Sequence, residues 1–337
     1  MQGTVLLERL TEAENWLREV FDARALDIVP ASEDASFRRY FRVSVQGRSW
    51  ILMDAPPQHE DCRPYVHVAG LLADAGVNAP RIVHSDLDRG FLLLTDLGGT
   101  TYLDVLNPQT ADTLYGDAVD ALIRFQLASR PGELPDYDSE LLEREMRLFP
   151  EWYIARHRGI TLDPGQVELL ETLFGVINRN VLAQARVFVH RDYHSRNLMV
   201  TSPNPGVLDF QDAVYGPTSY DPVSLFKDAY ITWDEERVLD WVIRYWEKAR
   251  RHKLPVAGDF TQFYRDFEWM GIQRHLKVLG IFARLCYRDG KRVYLDDMPV
   301  VMNYLRAACQ RYREFHPLLK LLDFVDSADQ PRIGYSF

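Results

Sequence analysis

Short apolar stretches separated by polar turns fill about the first 95 residues, a pattern that is typical of β-strands. Gln46, Gly47 and Arg48 separate the second stretch from the third and predict a β-hairpin. The stretches are rich in β-branched and aromatic residues and follow one another as ALDIV, RYFRVSV, SWILMDA, PRIVHSD and GFLLLTD. We therefore predict a five-stranded antiparallel sheet.

Two helices are expected beside this sheet. The first is amphipathic and N-terminal, with Leu10, Leu17 and Phe21 roughly on one face. The second is predicted from about Glu60 to Ala75, before Gly76, a residue type common just beyond helix ends. The N-terminus lacks the features of a signal peptide, and no run approaches the roughly 18–20 apolar residues of a transmembrane helix. These features predict a soluble cytoplasmic protein without membrane contact.

The periodicity changes after the glycine pair at 98–99. Apolar residues then recur at helical spacing, except in a segment of short extended pieces at 186–218. We predict an α+β fold with a small antiparallel-sheet N-terminal lobe and hinge, residues 1–97, and a larger helical C-terminal lobe, residues 98–337. The predicted helices of the second lobe cover about 111–129, 138–158, 164–184, 234–252, 258–285 and 296–314.

Composition narrows the range of partners. The chain has 39 Lys and Arg against 49 Asp and Glu, a formal net charge of −10. Such a charge argues against general affinity for nucleic acid or anionic membranes. The three cysteines form no CxxC pair, which predicts reduced thiols instead of a disulfide framework or a zinc site. No feature of the sequence indicates a protein partner.

The segment at 186–218 carries the strongest chemical signal. It reads VFVHRDYHSRNLMV and then GVLDFQD, so that Asn197 follows Asp192 by five residues and Asp209 follows Asn197 by twelve. In phosphoryl transfer one carboxylate orients or deprotonates the acceptor hydroxyl, while a carboxamide and a second carboxylate hold Mg²⁺ against the nucleotide phosphates. The spacing matches the catalytic loop and metal-binding segment of kinases. It predicts phosphoryl transfer, without specifying the acceptor.

These motifs resemble the kinase-like superfamily of aminoglycoside phosphotransferases and choline kinases over nearly the whole chain. The chain is more closely similar to bacterial anomeric kinases of cell-wall amino sugars, in the segments DASFRRYFRV, WILMDAPP, FPEWY, HRDYHSRNLM and LDFQDAVYGPTSYD. The resemblance implies a protein-kinase-like two-lobed fold. It also implies ATP-dependent phosphorylation of the C1 hydroxyl of N-acetylmuramate and N-acetylglucosamine in peptidoglycan recycling, with ATP as co-substrate and Mg²⁺ as cofactor.

The resemblance further implies residue roles. Asp192 is the catalytic base, Asn197 and Asp209 are Mg²⁺ ligands, and Asp221 braces the catalytic loop. The implied nucleotide-binding residues belong to the phosphate-covering loop, to the carboxylate that opens the second helix and to the hinge: Ser36, Phe37, Arg38, Arg39, Glu60, Thr95, Asp96 and Leu97. The acceptor candidates are Glu151, Trp152, Tyr153 and His194. By residue type alone, Asp221 is predicted to be a helix N-cap, and aromatic side chains at helical spacing more often fill a core than contact a substrate.

The third strand lacks the lysine that kinases pair with nucleotide phosphates, since the first lysine of the chain is Lys227. We expect Arg38, Arg39 or Arg42, or Mg²⁺ alone, to offset the phosphate charge, because a guanidinium can grip phosphate oxygens in a bidentate manner. The lactyl carboxylate of N-acetylmuramate also calls for a basic group near the acceptor. Basic residues of the helical lobe that could serve are Arg147, Arg156, His157, Arg158, Arg274 and His275.

Two alternative functions stay open at this stage. An aminoglycoside or other small-alcohol phosphotransferase would share the motifs, but an aminoglycoside site needs a cluster of carboxylates for a polycationic acceptor. A nucleotide-binding regulator without turnover is the second alternative, and the missing lysine motivates it.

Overall fold

The computed structural model describes residues 2–23, 25–33 and 37–327. The chain folds into two compact units. The first unit comprises Met1–Thr101 and Asn197–Asp212, and the second comprises Tyr102–Arg196 and Ala213–Phe337. The division therefore falls at residue 101 instead of the predicted 97, and it groups 197–212 with the sheet instead of the helical lobe.

The first unit contains the antiparallel sheet predicted from the alternating pattern. Its five strands are ordered β1-β2-β3-β5-β4, and every neighbouring pair is antiparallel. The elements are α1 (Gln2–Phe21), β1 (Asp27–Glu33), β2 (Arg39–Val45), β3 (Arg48–Asp54), α2 (Arg63–Asp74), β4 (Ile82–Asp86) and β5 (Phe91–Thr95). The predicted strand content and both predicted helices are present.

The β2–β3 hairpin closes through a two-residue turn. Val45 pairs with Arg48, and Gln46 and Gly47 between them have φ values of 49° and 76°. Two successive positive φ values are the geometry of a type I′ turn, which matches the twist of the flanking strands. The hairpin signal in the sequence is thus explained by the backbone.

Helix α1 packs on one face of the sheet. Trp16 and Leu17 are buried against Val43, Leu52 and Phe91, and the rings of Trp16 and Phe91 stack at 5.7 Å. This contact places the N-terminal helix in the core of the first unit.

Helix α2 starts later than predicted. It begins at Arg63, so Glu60 lies in the preceding turn and does not open the helix. Pro64 explains the position, because a proline lacks the amide hydrogen that a helix interior needs and is tolerated in the first turn. The C-terminal end agrees with the sequence, since Gly76 follows the helix with φ of 68°.

The second unit is mostly helical. The structure gives α3 (Tyr102–Val105), α4 (Ala111–Leu127), α5 (Ser139–Leu148), α6 (Pro164–Ala183), α7 (Tyr220–Phe226), α8 (Glu235–Arg251), α9 (Phe260–Asp289), α10 (Met298–Arg311) and α11 (His316–Ser327). The sequence pattern did not predict the short α3 or the terminal α11. In the described ranges, no helix has the combination of length and apolar character needed to cross a bilayer.

The predicted helix 138–158 is two elements. Helix α5 ends at Leu148, and Phe149–His157 continues as a π-helix. Pro150 sits at the start of this segment and cannot donate the hydrogen bond that would extend the α-helix. Because π-helical turns are rare and concentrate at functional sites, this segment is of interest beyond its packing.

Four short strands lie between α6 and α7: β6 (Arg186–Val189), β7 (Leu198–Met199), β8 (Gly206–Val207) and β9 (Val214–Pro217). Strands β6 and β9 pair within the second unit, whereas β7 and β8 form a small hairpin of the first unit. The amide of Val200 donates to the Thr100 carbonyl at 2.9 Å, and that of Val207 donates to the Asn78 carbonyl at 2.8 Å. These bonds are the reason that 197–212 belongs with the sheet.

Helix α9 crosses the end of α5 at Gly280. A Cβ atom placed on Gly280 would lie 2.4 Å from the carbonyl carbon of Leu148, too close for any side chain. Gly280→Ala should therefore lower the free energy of unfolding by about 1–3 kcal/mol, since the two helices must move apart. Urea denaturation would measure the loss.

Gly116 of α4 is the matched control, because it is exposed and a Cβ there meets nothing within 4 Å. Gly116→Ala should raise the free energy of unfolding by about 0.5–1 kcal/mol through helix propensity alone. Changes of the same sign in both variants would contradict the close approach at Gly280.

Candidate active site

The catalytic loop follows β6 and is fixed by Asp221. The amide of His190 donates to Asp221 Oδ2 at 2.7 Å, and the amide of Arg191 donates to Oδ1 at 3.0 Å. Burial raises the pKa of Asp221 to about 7, whereas these two hydrogen bonds favour its charged form. Ser219, not Asp221, occupies the N-cap position of α7, so the N-cap prediction is wrong.

His190 and Arg191 both act within the loop. The His190 ring accepts a hydrogen bond from the Asp192 amide through Nδ1 at 3.3 Å, which agrees with a structural role. Arg191 forms an ion pair with the buried Glu145. Glu145 also lies 3.3 Å from Lys277 Nζ. Burial alone would lower the pKa of Lys277, but Glu145 outweighs it and raises the pKa, so both partners stay charged.

The carboxylate of Asp192 is surrounded by positive charge. Burial alone would raise its pKa, but nearby basic side chains outweigh burial and hold the pKa well below its usual range. Lys277 contributes most to this effect, and the others are His194, Arg191 and Arg274. Asp192 is therefore ionised at neutral pH and can accept a hydrogen bond from a hydroxyl group.

The β7–β8 hairpin of the first unit brings Asn197 and Asp209 together. The Leu208 amide donates to the Asn197 carbonyl at 2.9 Å, and Asn197 Nδ2 donates to Asp209 Oδ2 at 3.4 Å. Gln211 Nε2 donates to Asp209 Oδ1 at 2.8 Å. Asp209 has φ of 60°, an uncommon conformation for a residue other than glycine.

This pair fits a magnesium ion. Mg²⁺ prefers oxygen ligands, and proteins commonly supply one or two while phosphates and water supply the rest. Across residues 2–23, 25–33 and 37–327, no group of three or more His, Cys, Asp or Glu side chains could hold a metal. Asn197 and Asp209 are thus suited to a cation that arrives with a nucleotide, and not to a closed protein cage.

Glu60 contacts the phosphate-covering loop, although it does not open α2. The Phe37 amide donates to Glu60 Oε1 at 3.2 Å, and Arg38 Nη1 lies 3.7 Å from Glu60 Oε2. The exposed Phe37 ring stacks on His59 at 4.6 Å. Ser36 lies outside the described residues.

Tyr65 is a buried residue of α2 whose pKa is affected by the charges of both Arg38 and Asp209. Its ring lies 4.6 Å from that of Phe210. Burial raises the pKa of Tyr65 well above its usual value, Asp209 adds to the rise, and Arg38 opposes it. The charges of Arg38 and Asp209 thus act on the Tyr65 hydroxyl group in opposite directions.

The other two candidate arginines neutralise carboxylates. Arg39 and Arg9 both form ion pairs with Asp54, a residue that is 1% exposed at the end of β3. Arg42 Nε donates to Asp96 Oδ2 at 2.7 Å. Arg38 also faces a carboxylate, that of Glu60, but at the longer distance of 3.7 Å.

The hinge residues are held mainly by their own unit. The Thr95 amide donates to the Arg81 carbonyl at 2.9 Å. Burial alone would raise the pKa of Asp96, but hydrogen bonds from Arg42 and the Gly98 amide outweigh it and lower the pKa. Leu97 packs on Gly206, where an added Cβ would lie only 2.8 Å from Leu97 Cδ1. Of the three hinge amides, that of Thr95 is therefore already used within the sheet.

The acceptor candidates of the FPEWY segment lie on the π-helix. Tyr153 is buried and stacks on Phe149 at 5.2 Å, so its ring belongs to the core. Glu151 and Trp152 line an open groove with Arg156. His194 lies elsewhere in the second unit, next to Asp192, and its own amide donates to the Asp192 carbonyl at 3.1 Å. The structure thus brings His194, but not Tyr153, to the catalytic loop.

Two charged residues beside Asp192 were missed by sequence reasoning. Glu145 and Lys277 lie on α5 and α9, far apart in the chain, and neither belongs to a recognisable motif. A signal did exist in the segment HLKVLGIF, where Lys277 is the one charged side chain among apolar neighbours. A buried lysine of this kind needs a buried carboxylate as its partner.

Comparison with known proteins agrees with this geometry. The model of the phosphotransferase enzyme family matches residues 27–255. The chain belongs to this family. It is 53% identical over 316 residues to a protein of Pseudomonas aeruginosa named N-acetylmuramate/N-acetylglucosamine kinase, covering 94% of this chain and 92% of that protein. A protein of the same name from Neisseria meningitidis is 48% identical over 336 residues, covering 98% of this chain and all of the relative.

Solved structures of phosphotransferases share the fold. The ADP-bound aminoglycoside phosphotransferase APH(2'')-Ib has a TM-score of 0.57 at 16% identity, over 87% of this chain and 97% of that one. LicA in complex with AMP has a TM-score of 0.60 at 10% identity, over 88% and 98% of the two chains. The protein-kinase-like two-lobed fold implied by the motifs is confirmed.

Proposed function

We propose that this phosphotransferase transfers the γ-phosphoryl group of ATP to the C1 hydroxyl of N-acetylmuramate and N-acetylglucosamine. The observation that carries the proposal is the near-complete coverage of relatives that bear both sugars in their name, at 48–53% identity. Such a reaction serves the recycling of peptidoglycan sugars in the cytoplasm, where ATP is available.

Asp192 has the role of orienting the acceptor. A C1 hydroxyl is hemiacetal and more acidic than an ordinary alcohol, so a weak base suffices. The low pKa of Asp192 suits a group that first accepts a hydrogen bond from the C1 hydroxyl. It would receive the proton late, after the bond between the γ-phosphorus and the leaving ADP has weakened. Positioning and charge neutralisation then supply most of the rate enhancement.

Asn197 and Asp209 would hold the magnesium ion that accompanies ATP, and a bound ion would supply charge neutralisation at the phosphate oxygens. The Asn197–Asp209 contact at 3.4 Å and the hydrogen bond from Gln211 support this role, because they fix both ligands before the nucleotide arrives.

Arg38 takes the place of the missing lysine. It lies 3.7 Å from Glu60, so the two residues form an ion pair of the kind that kinases make between a strand lysine and a helix glutamate. Arg38 and Asp209 both affect the pKa of Tyr65, which supports a location of Arg38 beside the phosphates. The adenine edge would bond to the backbone of Asp96 and Leu97, because the Thr95 amide is engaged.

The charges around Asp192 favour this function over aminoglycoside phosphorylation. An aminoglycoside is a polycation and would be repelled by Lys277, Arg191 and Arg274. A neutral or anionic sugar is compatible with them. The ion pair of Arg38 with Glu60 supports a kinase with turnover over a nucleotide-binding regulator, because it supplies a cation where the lysine is missing.

A panel of acceptors tests the function directly. Incubated with Mg-ATP, the protein should release ADP with N-acetylmuramate and N-acetylglucosamine, but not with their methyl glycosides, in which C1 is blocked. Coupled detection of ADP would measure the rates. Turnover with methyl glycosides, or with kanamycin in place of the N-acetyl sugars, would refute phosphorylation at C1.

The roles of the two carboxylates are separable. Asp192→Asn should lower kcat by about 10²–10⁴-fold while the affinity for Mg-ATP stays near that of the parent, because the side chain meets the acceptor. Asp209→Asn should weaken Mg-ATP binding as well as turnover. Asp212→Asn is the control, since Asp212 is exposed three residues further on. Equal, mild effects at positions 192 and 209 would contradict the assignment.

The two neighbouring arginines allow a matched comparison. Arg38→Met should raise the Kd of Mg-ATP about tenfold, the value expected for the loss of a charge-assisted hydrogen bond. Arg39→Met should leave that Kd unchanged and lower the melting temperature, because Asp54 loses one of its two partners. Titration calorimetry and thermal unfolding would distinguish the two. Unchanged nucleotide affinity in Arg38→Met would overturn the role of Arg38.

A further inference from the structure

A buried guanidinium in α9 has two nitrogen atoms without a partner in the described part of the chain. Arg274 is only 3% exposed, and among the described residues its Nε and Nη1 atoms make no hydrogen bond. Arginine cannot lose its charge in proteins, and a buried charge without a partner costs several kcal/mol after relaxation. Nearby cations are arranged differently, since Lys277 and Arg191 both pair with Glu145. Asp192 and Asp221 carry negative charge nearby, but neither accepts a hydrogen bond from these two nitrogen atoms, so both nitrogen atoms remain able to donate to a bound anion.

Arg274 lies beside the catalytic carboxylate. After Lys277, His194 and Arg191, it contributes to holding the pKa of Asp192 below its usual range. Burial lowers the pKa of His194, and the charge of Arg274 lowers it further. His194 is only 9% exposed, and its Nδ1 atom has no hydrogen-bond partner within residues 2–23, 25–33 and 37–327. Arg274 and His194, two buried side chains with unsatisfied nitrogen atoms, thus both lie close enough to Asp192 to influence its charge.

The other basic candidates in the helical unit have different surroundings. Burial lowers the pKa of His275 well below its usual range, so its ring is neutral, and it stacks on Tyr304 at 5.4 Å. Arg156 lines the open groove of the π-helix. The remaining three have partners at or near the surface: Arg147 with Glu171, His157 with Tyr287 and Arg158 with Asp326.

The two proposed acceptors differ in one anionic group. N-acetylmuramate carries a lactyl carboxylate on its C3 oxygen, where N-acetylglucosamine has a hydroxyl. A guanidinium fork matches a carboxylate in a bidentate manner, with two parallel N–H···O bonds. We propose that Arg274 is the specificity-determining residue that binds the lactyl carboxylate of N-acetylmuramate while its C1 hydroxyl faces Asp192. This inference rests on the proposed function.

Substitution of Arg274 tests the assignment through the ratio of two substrates. Arg274→Met should lower kcat/KM for N-acetylmuramate about ten- to hundredfold more than kcat/KM for N-acetylglucosamine, because the charge-assisted contact is lost with one sugar only, whereas any effect on Asp192 is shared by both. Arg274→Lys keeps the positive charge but loses the planar guanidinium. Its kcat/KM for N-acetylmuramate should therefore lie between those of the wild type and Arg274→Met. Thermal unfolding should show a smaller loss of stability in Arg274→Met than in Arg191→Met, since only the latter breaks an ion pair with Glu145.

Arg191→Met is the matched control, because Arg191 also carries positive charge near Asp192 but pairs with Glu145. It should lower kcat/KM for both sugars alike and reduce stability. A second comparison changes the sugar instead of the residue. The kcat/KM of the wild type for the methyl ester of N-acetylmuramate should be as low as that of Arg274→Met for the free acid. With the ester as substrate, the two proteins should have similar kcat/KM values.

The outcomes separate the assignment of Arg274 from the proposed function. Equal losses with both sugars in Arg274→Met would overturn the assignment and place the guanidinium at the transferring phosphoryl group or the loop. An unchanged ratio in both Arg274 variants, or equal use of the acid and its ester by the wild type, would overturn it as well. A wild type that is inactive on both sugars would refute the proposed function itself, and this assignment with it.

Discussion

The amides of His190 and Arg191 donate to the two oxygens of Asp221, a carboxylate that is completely buried at the start of α7. Arg191 has a left-handed backbone with φ of 77°, which costs a residue other than glycine about 1–3 kcal/mol and persists only where the surroundings enforce it. The two hydrogen bonds supply that enforcement. Asp192 follows directly, so the direction of its carboxylate depends on the Asp221 anchor.

A second constraint is electrostatic. Glu145 pairs with both Arg191 and Lys277 inside the helical unit, and Arg274 adds a further positive charge near Asp192. These cations outweigh the burial of Asp192 and keep its carboxylate ionised. One buried network thus sets the protonation state of Asp192.

Local patterns predicted most of the fold, because alternation and helical spacing record which face each element buries. They failed where a single residue overrides the pattern: Pro64 delays α2, and Pro150 turns the end of a long helix into a π-helix. The motif spacing identified Asp192, Asn197 and Asp209, since all three lie within one short segment. The pairing of Glu145 with Lys277 could not be predicted from the sequence, because the two residues lie on helices far apart in the chain and meet only through tertiary packing.

The position of α9 in the chain has an evolutionary consequence. The family match ends at residue 255, whereas α9 begins at Phe260 and carries both Arg274 and Lys277. Asp192, Asn197 and Asp209 therefore lie in the segment that the family model matches, and Arg274 and Lys277 lie downstream of it. Divergence of this one helix would change the charge near Asp192 while leaving the segment that carries Asn197 and Asp209 intact.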